Sequence, residues 1–179
     1  PAKEDANVYN AFFYEKADDK APYATSPTVY GEEIVAPEED PSKEGYQFQG
    51  WSTNPDAEEP EDLGVMDSME GKKFYAVFAP NEVTLTFDEN GGSEVTDLTG
   101  KFGEAVVAPE TTRDGYEFKG WYDAEGNLLP DTYPAESTDY TAKWTANTYY
   151  IMYKNGDILA EGPINAKTDD TISVSDGSK

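Results

Sequence analysis

From Glu82 to Phe87 polar and apolar residues alternate, which places Val83, Leu85 and Phe87 on one face. Period two is the mark of a half-buried β-strand. Asn90-Gly91 follows, a pair that signals a tight turn, and predicts a returning strand around Val95–Phe102. Ala105–Ala108 reads as a short apolar strand, stopped by Pro109, which has no N–H to offer a ladder. Arg113-Asp114-Gly115 predicts a turn, and Tyr116–Trp121 the next strand. Asp123-Ala124-Glu125-Gly126-Asn127 is another turn, leading to Leu128–Leu129, and Tyr140–Trp144 closes the series. No window carries a convincing helical period. At most one turn of helix fits between Pro37 and Gly45, or around Asp62–Met69. The expected fold class is mostly β, and α+β at most.

One phrase occurs twice: GYQFQGW at Gly45–Trp51 and GYEFKGW at Gly115–Trp121. Strict alternation puts Tyr116, Phe118 and Gly120 on one face and Glu117, Lys119 and Trp121 on the other, so large aromatics fall on both faces. Glycine just before tryptophan is a natural bulge position, and a bulge at Gly120 or Gly50 turns the indole of Trp121 or Trp51 back to the core. The alternative leaves both indoles exposed as a binding platform. Core packing is the commoner fate of such a residue.

The flanks repeat as well. Tyr30-Gly31 and Pro37 match Phe102-Gly103 and Pro109, while Phe74–Asn81 matches Tyr140–Asn147. Each unit opens on asparagine and reaches an aromatic six positions later: Asn7 to Phe13, Asn81 to Phe87, Asn147 to Tyr153. The chain therefore divides into a first module over 1–80, a second over 81–146, and the start of a third, incomplete one over 147–179. In the third, Asn155-Gly156 repeats the hairpin cue and Thr171–Ser175 is the candidate second strand. A beginning at Pro1 and an ending inside a repeat suggest a piece of something longer.

The order Phe87-Asp88-Glu89-Asn90-Gly91-Gly92, Phe102-Gly103, Pro109, Gly115–Trp121 and Tyr140–Trp144 resembles the Listeria–Bacteroides repeat, the internalin B-type B repeat of bacterial surface proteins. Module one departs from the pattern at Phe13–Asp18, which lacks the Gly-Gly, and at Phe78, where the family usually has Trp. The resemblance implies a small ubiquitin-like β-grasp sheet with a shortened or missing helix. The residues that carry it are Gly45, Tyr46, Phe48, Gly50, Trp51 and Phe78 in module one. In module two they are Gly115, Tyr116, Phe118, Gly120, Trp121 and Trp144.

Composition narrows the chemistry. Units this small often need disulfides or metals, yet the chain has no cysteine and no histidine. That removes thiolate and imidazole metal sites, histidine-dependent triads and cysteine nucleophiles. The 13 tyrosines, 8 phenylalanines and 3 tryptophans are the expected substitute, since each ring can bury about 150–250 Å². The formal charge is −24, with an acidic excess in all three modules. Phosphate binding needs clustered Lys and Arg, so a nucleic-acid partner is not expected, nor is an anionic membrane surface. Acidity instead favours solubility and discourages strand edges from pairing. Calcium is the sharper alternative, but no DxDxDG-type loop is present. No apolar run approaches the roughly 20 residues of a membrane span.

No catalytic, cofactor or metal residue is assigned. A carboxylate pair can be drawn anywhere among 37 acids and so means nothing by itself, and no phosphate-binding glycine loop is visible. For glycan binding the candidates are Tyr9, Tyr14, Tyr23, Tyr122, Tyr133 and Tyr149, the tyrosines least committed to the core pattern. Lys119 and Lys143 are candidates for a Lys–Asn cross-link, against the plainer reading of two solvated lysines. A cross-link would lower the intact mass by about 17 Da, one ammonia.

The expected function is a non-catalytic repeat or spacer segment of a secreted or wall-attached bacterial surface protein. Such a segment projects other domains and contributes adhesive contacts. Ala79-Pro80 and Thr145-Ala146 are junctions short enough to restrict relative motion and make a semi-rigid rod. Expected partners are neighbouring repeats or domains of the same chain and a host-surface protein or glycan. The alternative is an accessory carbohydrate-binding module of an extracellular enzyme or adhesin.

Overall fold

The computed structural model describes residues 7–152, 154, 155, 158, 159 and 164–173. Two compact units form. One comprises Pro1–Glu82 with Lys101–Gly103 and Pro134–Glu136; the other comprises Val83–Gly100, Glu104–Tyr133 and Ser137–Lys179. The described residues are strands, turns and loops, without a helix.

The first sheet contains β1 (Val8–Tyr14), β2 (Ala24–Val29), β3 (Tyr46–Ser52) and β4 (Lys72–Pro80) in the order β2-β1-β4-β3. β1 runs parallel to β4 and antiparallel to β2, and β3 is antiparallel to β4. The second sheet has the same plan. β5 (Glu82–Asp88), β6 (Leu98–Lys101), β7 (Tyr116–Tyr122) and β8 (Thr138–Ala146) lie in the order β6-β5-β8-β7, with β5 parallel to β8. Equivalent registers place Phe13 beside Phe74 and Phe87 beside Tyr140. The first and last strands of each sheet thus form its parallel centre, and the chain between them supplies both edges.

Alternation along β5 puts Val83 and Leu85 inside, with Phe87 packed against the same cluster. Trp121, Leu129, Tyr133, Tyr140 and Ala142 complete that core. Ala11, Phe13, Ile34, Trp51, Met66 and Phe74 form its counterpart in the first unit.

Three expected strands differ. The strand around Val95–Phe102 is shortened to Leu98–Lys101 because the residues before it bond elsewhere. Val95 N–H donates to Glu89 Oε1 at 2.8 Å and Ser93 N–H to Thr112 O at 2.8 Å. Ala105–Ala108 is not a strand. A single bridge joins Ala105 to Thr132, and Val106 N–H donates to Asp131 O at 2.8 Å, so this segment pairs with an irregular partner. Leu128 likewise makes only an isolated bridge, to Tyr122.

Beyond Asn147 the chain forms β9 (Thr148–Ile151), β10 (Lys154–Asn155), β11 (Ile158–Leu159) and β12 (Ile164–Lys167). β12, not Thr171–Ser175, is the strand returning along β9, and 171–173 are not in a strand. β10 pairs with β11. Tyr153, Gly156, Asp157 and residues 174–175 lie outside the described residues.

Candidate functional site

The seven-residue phrase is where the sequence concentrates its signal. Gly45 and Gly115 sit third in the turns Lys43–Tyr46 and Arg113–Tyr116, each closed by a 3.0 Å bond from the tyrosine N–H. Their φ values of 77° and 79° suit glycine. Tyr46 and Tyr116 then start β3 and β7. Each tyrosine ring is covered by the cation two residues before its glycine: Lys43 Nζ lies 3.7 Å from the Tyr46 centroid, and Arg113 Cζ lies 3.9 Å from that of Tyr116. This pairing was missed from sequence, although a basic residue two places before the phrase in both repeats is a readable signal.

Within the phrase the ladder shifts register between Phe48 and Gly50, and again between Phe118 and Gly120. One extra residue in each strand restores Trp51 and Trp121 to the face of Phe48 and Phe118. The indoles are 4% and 1% exposed. Phe48 meets Trp51 edge-on at 5.2 Å, and Phe118 meets Trp121 at 5.4 Å. Trp121 Nε1 donates to Pro109 O at 2.8 Å, so the buried N–H is satisfied. Across the ladder Phe48 faces Phe78 and Phe118 faces Trp144. Trp144 Nε1 donates to Glu89 O at 3.0 Å, beside the Asn90-Gly91 turn. Phe78 has no such donor, and an open cavity of about 170 Å³ lies beside it, lined by Glu15, Lys16, Ser42 and Lys43.

The six candidate tyrosines divide between the units, Tyr9, Tyr14 and Tyr23 in the first and Tyr122, Tyr133 and Tyr149 in the second. Tyr133 is a correction: it is 8% exposed, in the core of the second unit, its ring lying where a Cβ at Gly100 would stand. Tyr9 packs against the first core and meets Tyr30 edge-on at 6.1 Å. Tyr14 stacks on Tyr75 at 5.7 Å. Tyr23 lies over Trp51 at 6.2 Å and its hydroxyl donates to Glu39 O at 3.2 Å. Tyr122 lies under Lys143 Nζ at 3.9 Å. Tyr149 is 48% exposed and takes a long bond from Asn147 Nδ2. Lys119, the other lysine singled out, pairs with Glu117 at 2.6 Å on the surface.

The side chain and backbone of Asn127 bond to Asp123 and hold its carboxyl below the usual carboxylate range. Bonds from Thr53 do the same for Glu61, and Lys72 does it for Asp67. Burial pushes the Tyr140 phenol up. Among the described residues no three acidic side chains converge as metal ligands, and no helix is long and apolar enough to cross a membrane.

The pattern of the Listeria–Bacteroides repeat domain matches residues 9–77 and again 84–145. A protein of Evansella cellulosilytica, provisionally designated a Gly-rich membrane protein, is 30% identical over 160 residues, 86% of this chain and 18% of that protein. Internalin H of Listeria monocytogenes is 39% identical over 104 residues, 56% of this chain and 18% of that one. The chain thus spans about a fifth of the length of these relatives. With the pattern matched twice, over more than half of its length, the chain belongs to the Listeria–Bacteroides repeat domain family.

Proposed function

We propose that this chain is a non-catalytic spacer segment of a bacterial surface protein, secreted or wall-attached, which projects other domains and contributes to adhesion. One observation carries the reading: in both complete repeats the tryptophan of the phrase lies inside, against Phe13 and Phe87 respectively. The most distinctive residues therefore support a role in building the repeat, since neither indole is exposed as a platform. Relatives that bear the names of a membrane protein and an internalin support the surface setting. A parallel central pair between antiparallel flanks supports a β-grasp-like repeat without its helix.

The test is titration of the chain with soluble glycans, followed by tyrosine and tryptophan fluorescence. A spacer gives no saturable change. Saturable binding weakened by Tyr23→Ala or Tyr122→Ala would replace this reading with the carbohydrate-binding one. Small-angle scattering on chains of increasing repeat number provides a second measurement, in which a spacer lengthens with each repeat added.

A further inference from the structure

The asparagine that opens each repeat makes the same backbone bond three times. Asn7 O accepts from Tyr30 N–H at 2.9 Å, Asn81 O from Phe102 N–H at 2.9 Å, and Asn147 O from Thr168 N–H at 3.0 Å. Two of these asparagines also donate. Asn81 N–H bonds to Gly45 O at 2.9 Å, and Asn147 N–H to Gly115 O at 2.8 Å. Both acceptors are the first glycine of the seven-residue phrase. Gly115, Asn147 and Thr168 lie within the second unit, and Gly45, Asn81 and Phe102 within the first.

The side chain at the third position sits on the glycine. A Cβ at Gly115 would stand 2.6 Å from Thr168 Cγ2 and Oγ1, and one at Gly45 would fall into the Phe102 ring. The Thr168 hydroxyl also donates to Gly115 O, and the Tyr116 hydroxyl to the Asp169 carboxylate. In the first unit Tyr46 meets Phe102 edge-on at 5.5 Å. A turn explains the positive φ of these glycines but not why the space of the missing side chain is filled. Gly31, Gly64, Gly103 and Gly126 have positive φ too, and a Cβ on any of them would meet nothing within 4 Å.

Asp169, with φ 69°, stands where Gly31 and Gly103 have 87° and 83°. It marks Thr168-Asp169 as the third repeat's counterpart of Tyr30-Gly31 and Phe102-Gly103. We propose that the Gly-Tyr opening each phrase is a joint, a surface whose partner is the following repeat of the same chain. The partner presents its opening asparagine and the residue just after the strand that returns along its first, Phe102 after β6 and Thr168 after β12. Backbone groups make both bonds, which is why phenylalanine serves at one joint and threonine at the other. The joint rests on the repeat organisation and not on the spacer role, so a glycan-binding result leaves it standing.

Amide hydrogen exchange on the whole chain tests it. Thr168→Pro removes the donor to Asn147 O, and Tyr116→Phe removes the hydroxyl bond to Asp169 while keeping the ring. In both variants the Asn147 amide should exchange faster, by tenfold or more in Thr168→Pro. The Leu129 amide, which donates to Trp121 O inside the second unit's core, should change less than twofold. An Asn147 amide that exchanges alike in the parent and both variants overturns the joint. So does an equal acceleration at Leu129, because the contact would then belong to the repeat's own core.

Discussion

Phe87 and Trp121 meet edge to face, with ring centroids 4.7 Å apart and planes at 63°. Phe13 and Trp51 repeat the contact at 4.8 Å and 67°. The second core owes this pair to the bulge before Trp121, which places the indole opposite the inward face of β5. Trp121→Ala should destabilise the second unit by about 3–5 kcal/mol, the usual cost of a buried large-to-small aromatic change. Urea denaturation followed by far-ultraviolet circular dichroism measures it. A loss below about 1 kcal/mol would mean that the indole contributes little to the core.

The bulge depends on glycine. Gly120 has φ 120°, and a Cβ there would stand 2.7 Å from Leu128 Cδ1; Gly50 has φ 139°, and its Cβ would stand 2.7 Å from Pro60 Cβ. Gly120→Ala and Gly50→Ala should each cost about 1–3 kcal/mol, from backbone strain with a close contact added. Thermal denaturation reads the effect, and melting temperatures equal to the parent's would contradict it.

Phe78 stands where the second repeat has Trp144, and the cavity of about 170 Å³ beside it offers room for an indole. Phe78→Trp should stabilise the first unit by about 0.5–2 kcal/mol, the range of cavity-filling changes. An unchanged or lowered denaturation midpoint would show that the missing Gly-Gly turn, and not the smaller ring, shapes this region.

Acid should loosen the turn at Asp123. Asn127 N–H donates to Asp123 Oδ1 at 2.7 Å and Asn127 Nδ2 to Oδ2 at 2.9 Å, and these bonds lower the carboxyl pKa in the folded chain. A lowered folded pKa contributes stability above the unfolded value of about 3.9, and that stability is lost as pH falls through the folded value. Carboxyl chemical-shift titration should place the Asp123 midpoint below that of a model peptide, and a midpoint at or above the peptide's would refute the argument.

Tyr116 behaves in the opposite sense. Its hydrogen bond to Asp169 raises the phenol pKa, so the contribution is complete below the unfolded value of about 10 and disappears as pH rises through the folded one. Ultraviolet titration of Tyr116→Phe should lack one ionisation step above the usual phenol range that the parent shows, and an unchanged profile would remove the Asp169 bond from the account.

Much of this protein was legible in its pattern. Alternation marked Val83, Leu85 and Phe87 as one face, and the paired GYxFxGW phrases located β3 and β7. Glycine before tryptophan pointed to a bulge because few other residues adopt that backbone at low cost. These are local facts, set by periodicity and by the φ that a side chain permits. Tyr133 was not legible, since its burial depends on the bare backbone at Gly100, far away in sequence. Nor was the return of β12, because Asp169 takes a left-handed conformation where the other repeats carry glycine. The sequence by itself determined the repeat, the strands that carry its phrase, and the inward face of Val83, Leu85 and Phe87. Only the tertiary structure decided which residues cover the first glycine of each phrase, because period two tells which face a residue occupies and never what will pack against it.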